Sequence, residues 1–129
     1  MKKINKSKND ALIAIVDDDA SVCEALESLL KSIGFRTVSF TSARSFLDSS
    51  EFPNVSCVVL DVSMPNMNGL ELQRHLASTN PIPIIFVTAH GDEKTRERAL
   101  RAGAIRFLNK PFSDEALIDS LHSALDESG

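Results

Sequence analysis

Five short apolar segments, each followed by a helical pattern, constrain this chain more than any other feature. The segments are residues 11–16, 36–40, 55–60, 84–87 and 105–108, rich in Val, Ile, Leu and Phe. Three of them are near-continuous apolar runs, the pattern of strands covered on both faces of a parallel sheet. Between and after them the period changes. Val22, Leu26, Leu29, Leu30 and Ile33 recur at helical spacing, with Gly34 as a stop. A short helix is predicted over 42–48 with Phe46 and Leu47 inward, and another over 69–78 packing Leu72 and Leu76. Asp92 caps a fourth over 93–102, closed by Gly103. Ser113 caps a fifth whose stripe is Leu117, Ile118, Leu121, Ala124 and Leu125. Strand then helix, five times over, implies right-handed crossovers and a parallel sheet with helices on both faces. The fourth helix is the least anchored, since only Ala99, Leu100 and Ala102 can face inward.

Length and composition leave room for one such domain and little else. The 129 residues are 43% hydrophobic and 25% charged, ordinary for a globular protein that builds its own core. Cys23 and Cys57, the two cysteines, lack metal-ligand spacing and exclude a disulfide-rich secreted scaffold. No apolar run approaches the ~18–20 residues of a membrane span, and no signal-peptide core follows the basic start. The expectation is a cytoplasmic protein with no membrane contact. Residues 1–10 carry four lysines and one aspartate; the other 119 carry ten Lys/Arg against seventeen Asp/Glu, so −7. A body this acidic is a poor nucleic-acid binder by itself. Residues 1–10 are expected to be a flexible, solvated basic leader rather than a tether for an acidic partner, and 11–129 the folded domain.

In an open α/β sheet the functional crevice lies at the carboxyl ends of the strands. Asp17, Asp18 and Asp19 follow the first strand, Asp61 the third, Thr88 the fourth, and Asn109, Lys110 and Pro111 the fifth. Converging carboxylates repel one another unless a cation joins them. Oxygen ligands with room for water suit Mg²⁺ best, with Mn²⁺ a substitute. Asp19 alone is better read as the cap of the first helix. Lys110 can pair with a carboxylate and hold a phosphoryl oxygen, and Thr88 offers a hydroxyl beside the small Ala89. Cation, ammonium, hydroxyl and a free carboxylate fit phosphoryl transfer to a carboxylate, with Asp61 as the nucleophile.

These residues resemble a known family. Ile15-Val16-Asp17-Asp18-Asp19, Leu60-Asp61 through Asn68-Gly69, Val87-Thr88-Ala89-His90, Ala102-Gly103-Ala104 and Lys110-Pro111-Phe112 stand in the order of a receiver domain of two-component response regulators. The resemblance covers residues 12 to about 126, and the residues around Asp61 and His90-Gly91-Asp92 are most similar to the FixJ-type subgroup. It implies a doubly wound, flavodoxin-like (βα)5 fold with strand order 2-1-3-4-5. It implies Asp61 as phosphoacceptor, Asp18 as direct metal ligand, Asp17 nearby or acting through water, and the Ser63 backbone carbonyl as the third protein ligand. Thr88 and Lys110 would hold the phosphoryl group, Phe107 would be the switch aromatic, and the Lys110–Pro111 peptide is commonly cis in the family.

The resemblance also implies partners. A sensor histidine kinase would be the phosphodonor, and a homodimer would form on phosphorylation through the face of helix four, strand five and helix five. FixJ-type receivers precede a DNA-binding output domain. None follows Gly129 here, so an excised domain and a single-domain regulator both stay open. On phosphorylation Thr88 would move toward the phosphoryl group, Phe107 would rotate inward and helix four would shift. Phe107 can equally be plain core; its place three residues before Lys110 favours the switch. His90 is read first as an exposed loop histidine, with control of water at the acyl phosphate as its functional alternative. His75 and His122 are read as surface or packing residues, and Cys57 as a small buried apolar one.

Two other function classes use similar parts. A haloacid-dehalogenase-type phosphatase also forms an aspartyl phosphate, but it usually needs a second Asp two positions after the nucleophile. Ser63 stands there, and no cap insertion exists to select a substrate. A flavodoxin-like cofactor binder would place a Ser/Thr/Gly-rich phosphate loop after the first strand, where three aspartates would repel a phosphate. The reading favoured is a signalling phosphoacceptor that catalyses only its own phosphorylation and dephosphorylation.

Overall fold

The computed structural model describes residues 10–128. The order is β1 Leu12–Val16, α1 Ala20–Ser32, β2 Arg36–Phe40, α2 Ala43–Leu47, β3 Cys57–Leu60, α3 Gly69–Thr79, β4 Ile84–Thr88, α4 Glu93–Arg101, β5 Arg106–Asn109 and α5 Asp114–Ser128. A 3-10 turn, Phe52–Asn54, precedes β3. The strands form one five-stranded sheet, all parallel, in the order 2-1-3-4-5. The parallel sheet follows from the alternation of strands and helices, and its order is the flavodoxin-like one that the resemblance to receiver domains implies.

The side-chain alternation of β1 explains the two-sided burial. Ile13 and Ile15 enter one core layer with Cys23, Leu26 and Leu30 of α1 and Leu117, Leu121 and Ala124 of α5. Ala14 and Val16 enter the other, with Phe46 of α2, Leu72 and Leu76 of α3 and Ala99 of α4. Each fully buried leucine among these contributes about 1.5–3 kcal/mol of transfer free energy. The caps stand where the sequence puts them. Asp19, Ser42 and Asp92 accept backbone N–H groups at the starts of α1, α2 and α4, and Ser113 accepts from Ala116 N at 3.0 Å. Asn68 and Glu71 close a reciprocal capping box on α3. Gly34 and Gly103 end their helices at φ 102° and 108°, a region open to glycine without strain.

The differences are at element edges. β3 starts at Cys57, not residue 55, because Val55 N–H bonds back to Phe52 O and closes the preceding turn. β4 runs through Thr88, and β5 starts at Arg106 and includes Asn109, because Thr88 and Asn109 pair across the sheet. On α4 only Ala99 is fully buried; Leu100 is half-buried, and Ala102 is exposed rather than inward. The leader expected over 1–10 lies outside the described residues except for Asp10. Among the described residues no helix is long and apolar enough to cross a membrane.

Candidate functional site: an acidic edge closed by one ammonium

The register of the parallel strands brings the polar residues to one edge. Val16 pairs with Phe40 on one side and Leu60 on the other, so Asp17 and Asp61 leave the sheet side by side. Backbone bonds carry the ladder one step further: Asp17 N donates to Phe40 O at 3.1 Å and Asp61 N to Val16 O at 3.0 Å. The start of α3 lies directly against this peptide. Gly69 N donates to Val62 O at 2.8 Å, and a Cβ on Gly69 would run into the Asp61 carbonyl oxygen.

Asp17, Asp18 and Asp61 each present a carboxylate oxygen, and these oxygens all lie within 4.8 Å of one another. Asp17 is 1% and Asp61 7% exposed, whereas Asp18 faces solvent. Asp19 is turned away to its cap: it accepts Ser21 N at 2.9 Å and Ser21 Oγ at 2.6 Å, which holds its carboxyl below the usual range. Its own N–H donates to Asp17 Oδ1 at 2.9 Å. Lys110 Nζ reaches Asp17 Oδ2 at 3.2 Å, so both oxygens of the buried Asp17 are engaged. Lys110 N–H donates to Thr88 O at 2.8 Å, and the Lys110–Pro111 peptide is cis.

Burial, and then the Asp17 charge, push the Asp61 carboxyl above its ordinary value. The Lys110 ammonium, the Thr88 hydroxyl and the Ser63 N–H (3.4 Å from Asp61 Oδ1) oppose that rise. The donors suit a hard divalent cation: three converging carboxylate oxygens, one of them open to water, and no thiol or imidazole among them. Cys23 Sγ lies 3.3 Å from Asp17 O, and burial raises its thiol. Cys57 is wholly buried in β3 and its thiol is pushed up to about 12.

Thr88 is buried at the end of β4, where its hydroxyl accepts His90 N–H at a long 3.4 Å. His90 is exposed. Phe107 is 7% exposed, its ring 5.9 Å from that of Phe86. The ring is thus already inward, so the inward rotation expected on phosphorylation is not a motion left to this conformation. What seats the ring is Gly91: a Cβ there would come within 2.5 Å of Phe107 Cε1 and 2.6 Å of Cζ. Sequence reasoning gave Gly91 no role beyond its place in the His90-Gly91-Asp92 run; its local signal is a glycine three residues past Thr88, the end of β4. It also missed Gln73, which is 5% exposed and donates from Nε2 to Ala99 O at 2.9 Å. The signal there was a polar residue at a core-facing position, four after Gly69 and one turn before Leu76.

Comparison with known proteins decides what kind of domain carries this edge. The sequence pattern described as the response regulator receiver domain matches residues 13–122. The chain belongs to that family. It is 47% identical over 117 residues to the response regulator protein TmoT of Ectopseudomonas mendocina, covering 90% of this chain and 53% of that protein. It is 40% identical over 114 residues to the transcriptional regulatory protein FixJ of Bradyrhizobium diazoefficiens, covering 88% of this chain and 56% of that one. The receiver chain therefore spans about half the length of these relatives. Among solved structures, the response regulator StyR superposes with a TM-score of 0.83 at 45% identity, covering 92% of this chain and 61% of that one. FixJ-N superposes with a TM-score of 0.81 at 37% identity, covering 91% and 94%. The FixJ-type similarity drawn from the residues around Asp61 and His90 agrees with these relatives, which are response regulators and so signalling proteins.

Proposed function

We propose that this receiver domain is a Mg²⁺-dependent phosphoacceptor whose acceptor is Asp61 and whose phosphodonor is a sensor histidine kinase in the cytoplasm. The observation that carries the reading is the acidic edge itself: three carboxylate oxygens within 4.8 Å of one another, two of them on buried residues, closed by Lys110 at 3.2 Å from Asp17. Asp17, Asp18, Asp61 and the Ser63 carbonyl would hold the cation, with Mn²⁺ a substitute. When bound, the cation neutralises charge on the transferring oxygens.

The chain's own residues do the rest. An Asp61 oxygen attacks phosphorus, the bond from phosphorus to the donor imidazole nitrogen breaks, and that nitrogen keeps the electron pair and takes up a proton. Burial keeps Asp61 poorly solvated and so less costly to bring into reaction. Lys110 and the Thr88 hydroxyl hold the new phosphoryl oxygens. Drawing Thr88 toward them competes with its long bond from His90 N–H, which loosens the loop ahead of α4. The phosphoryl group then favours the arrangement in which Phe107 stays seated, over one in which it swings out. The face of α4, β5 and α5 is what a second copy would read, and His90 at the mouth tunes access of water. Relatives with the longer chain are transcriptional regulators by name, so a DNA-binding output is the proposed destination of the signal. The domain turns over no substrate beyond its own phosphoryl group.

Intact mass after mixing with acetyl phosphate and Mg²⁺ tests the reading. One phosphoryl group is expected on the wild type and none on Asp61→Asn. The same mass gain on Asp61→Asn moves the acceptor elsewhere, and sustained turnover of p-nitrophenyl phosphate would favour the phosphatase class.

A further inference from the structure

Away from the acidic edge, α3 and α4 enclose a groove made of two adjoining cavities. One, of about 350 Å³, has Leu70, Ala77 and Ala102 around it and Arg74, Arg98 and Arg101 at its rim. The other, of about 290 Å³, is apolar, with Leu76, Ile82, Ile84 and the flanking prolines Pro81 and Pro83. Gln73, Ala77 and Ala102 line both, so the two form one elongated groove.

The charge in this groove is unspent. Arg74, Arg98 and Arg101 are exposed, and none makes a hydrogen bond or ion pair among the described residues. Glu97 stands one turn before Arg101 without bridging to it. Elsewhere in the chain Arg44 pairs with Asp48 and Arg96 with Glu93. Three unpaired guanidiniums beside an apolar floor, on a chain of net charge −4, are a local reversal of the molecule's own sign. Gln73 donates to Ala99 O, and its Oε1 has no partner among the described residues.

We propose that this groove docks an acidic, amphipathic protein segment: apolar side chains in the two cavities, carboxylates on Arg74, Arg98 and Arg101. Guanidinium forks match carboxylates in two-point geometry, which gives such a rim its selectivity. Two apolar chambers in a row fit anchor side chains spaced along a helix, the i, i+4, i+7 mode of groove recognition. A small organic acid would fill one chamber and leave the other empty. A nucleic acid would meet an apolar floor and too few cations to offset the acidic body. The groove is built from α3 and α4 and shares no residue with Asp17, Asp18, Asp61, Thr88 or Lys110, so it does not depend on the phosphoacceptor reading.

The test is an amide NMR titration of the 129-residue chain with a short helical peptide bearing leucines at i, i+4 and i+7 and glutamates between them. Saturable shifts confined to α3, α4 and residues 80–84 are expected. The same peptide with lysines for glutamates should give none. Arg74→Glu with Arg98→Glu should weaken binding about tenfold while leaving the unfolding midpoint unchanged. The proposal is overturned by any of four results: no saturation, an equal response to the lysine peptide, binding that survives the double reversal, or an equal arginine-dependent response to hexanoate or to phosphatidylglycerol vesicles.

Discussion

The ring of Phe107 rests on the bare backbone of Gly91, where an added Cβ would lie 2.5 Å from Cε1 and 2.6 Å from Cζ. The contact joins β5 to the loop after β4, which also offers His90 N–H to the Thr88 hydroxyl. The β4 edge and the aromatic ring are therefore mechanically tied through one residue that has no side chain.

Gly91→Ala should accordingly force Phe107 off its seat. Overpacking of this kind costs about 1–3 kcal/mol, read as a lower urea midpoint, with the Phe107 ring resonances shifted. Adding Phe107→Ala should recover part of the loss, giving a coupling of about 0.5–3 kcal/mol between the two sites. Strictly additive costs would deny the contact.

Lys110→Met should destabilise the domain when no divalent cation is present. It removes the one ammonium on Asp17, whose side chain is 2% exposed against 25% for Lys110. Breaking a fully buried pair costs about 3–5 kcal/mol; with Lys110 one-quarter exposed, about 2 kcal/mol is expected. Denaturation at two ionic strengths checks it, since salt screens such a partly buried pair only weakly.

Asp61→Asn should stabilise the cation-free domain at neutral pH. Two like charges 4 Å apart at an effective dielectric of 20 repel by about 4 kcal/mol; Lys110 offsets much of that, leaving a gain of about 1 kcal/mol. The pH dependence follows from a raised folded pKa, caused by burial and then by Asp17. The unfolded chain ionises first, so Asp61 costs stability above its folded pKa. That cost is relieved as pH falls through the folded pKa towards the ordinary value of 3.8, with no further gain below it. In chelator, the difference between wild type and Asp61→Asn should shrink with acid. A difference that is flat from neutral pH to pH ~4 contradicts the assignment.

On the proposed reading, Mg²⁺ raises the unfolding free energy of the wild type by about 2.7 kcal/mol at a hundredfold excess over its Kd. Asp18→Ala should lose that response, yet match or exceed the wild type in chelator, because one repelling carboxylate is gone. Equal Mg²⁺ responses would refute the site.

Gln73→Leu should speed hydrogen exchange in α4 more than in α3, at a cost of about 1 kcal/mol. Gln73 is the side chain that holds the Ala99 carbonyl, and Ala99 is the one fully buried residue of α4. Unchanged exchange in α4 would show that the packing of Ala99 alone suffices.

The parallel sheet and the identity of the edge residues were legible because both follow from alternation along the chain, whereas the strand order came from the resemblance to receiver domains. Once five parallel strands are recognised, Asp17, Asp61, Thr88 and Lys110 must emerge at the same ends. Which oxygen Lys110 approaches was not legible, since it depends on how far Asp17 turns under the N–H of Asp19. The seat of Phe107 was not legible either. A rotamer on β5 and an absent methyl in the loop after β4 meet there, and neither leaves a periodic trace. Ala102 was misplaced for a related reason: its spacing suits the buried face, but the helix turns at Gly103 and leaves it at the groove.

The pairing of Lys110 with Asp17 spans 93 residues, from the end of the first strand to the end of the last. During synthesis the amino-terminal part emerges first, so all three carboxylates of the edge leave the ribosome before their counter-ion does. A nascent chain halted after Asp61 and before Lys110 carries an uncompensated acidic rim. The residue just past the last strand neutralises the one just past the first, so a ribosome-bound fragment that ends between Asp61 and Lys110 has the acids without the clamp.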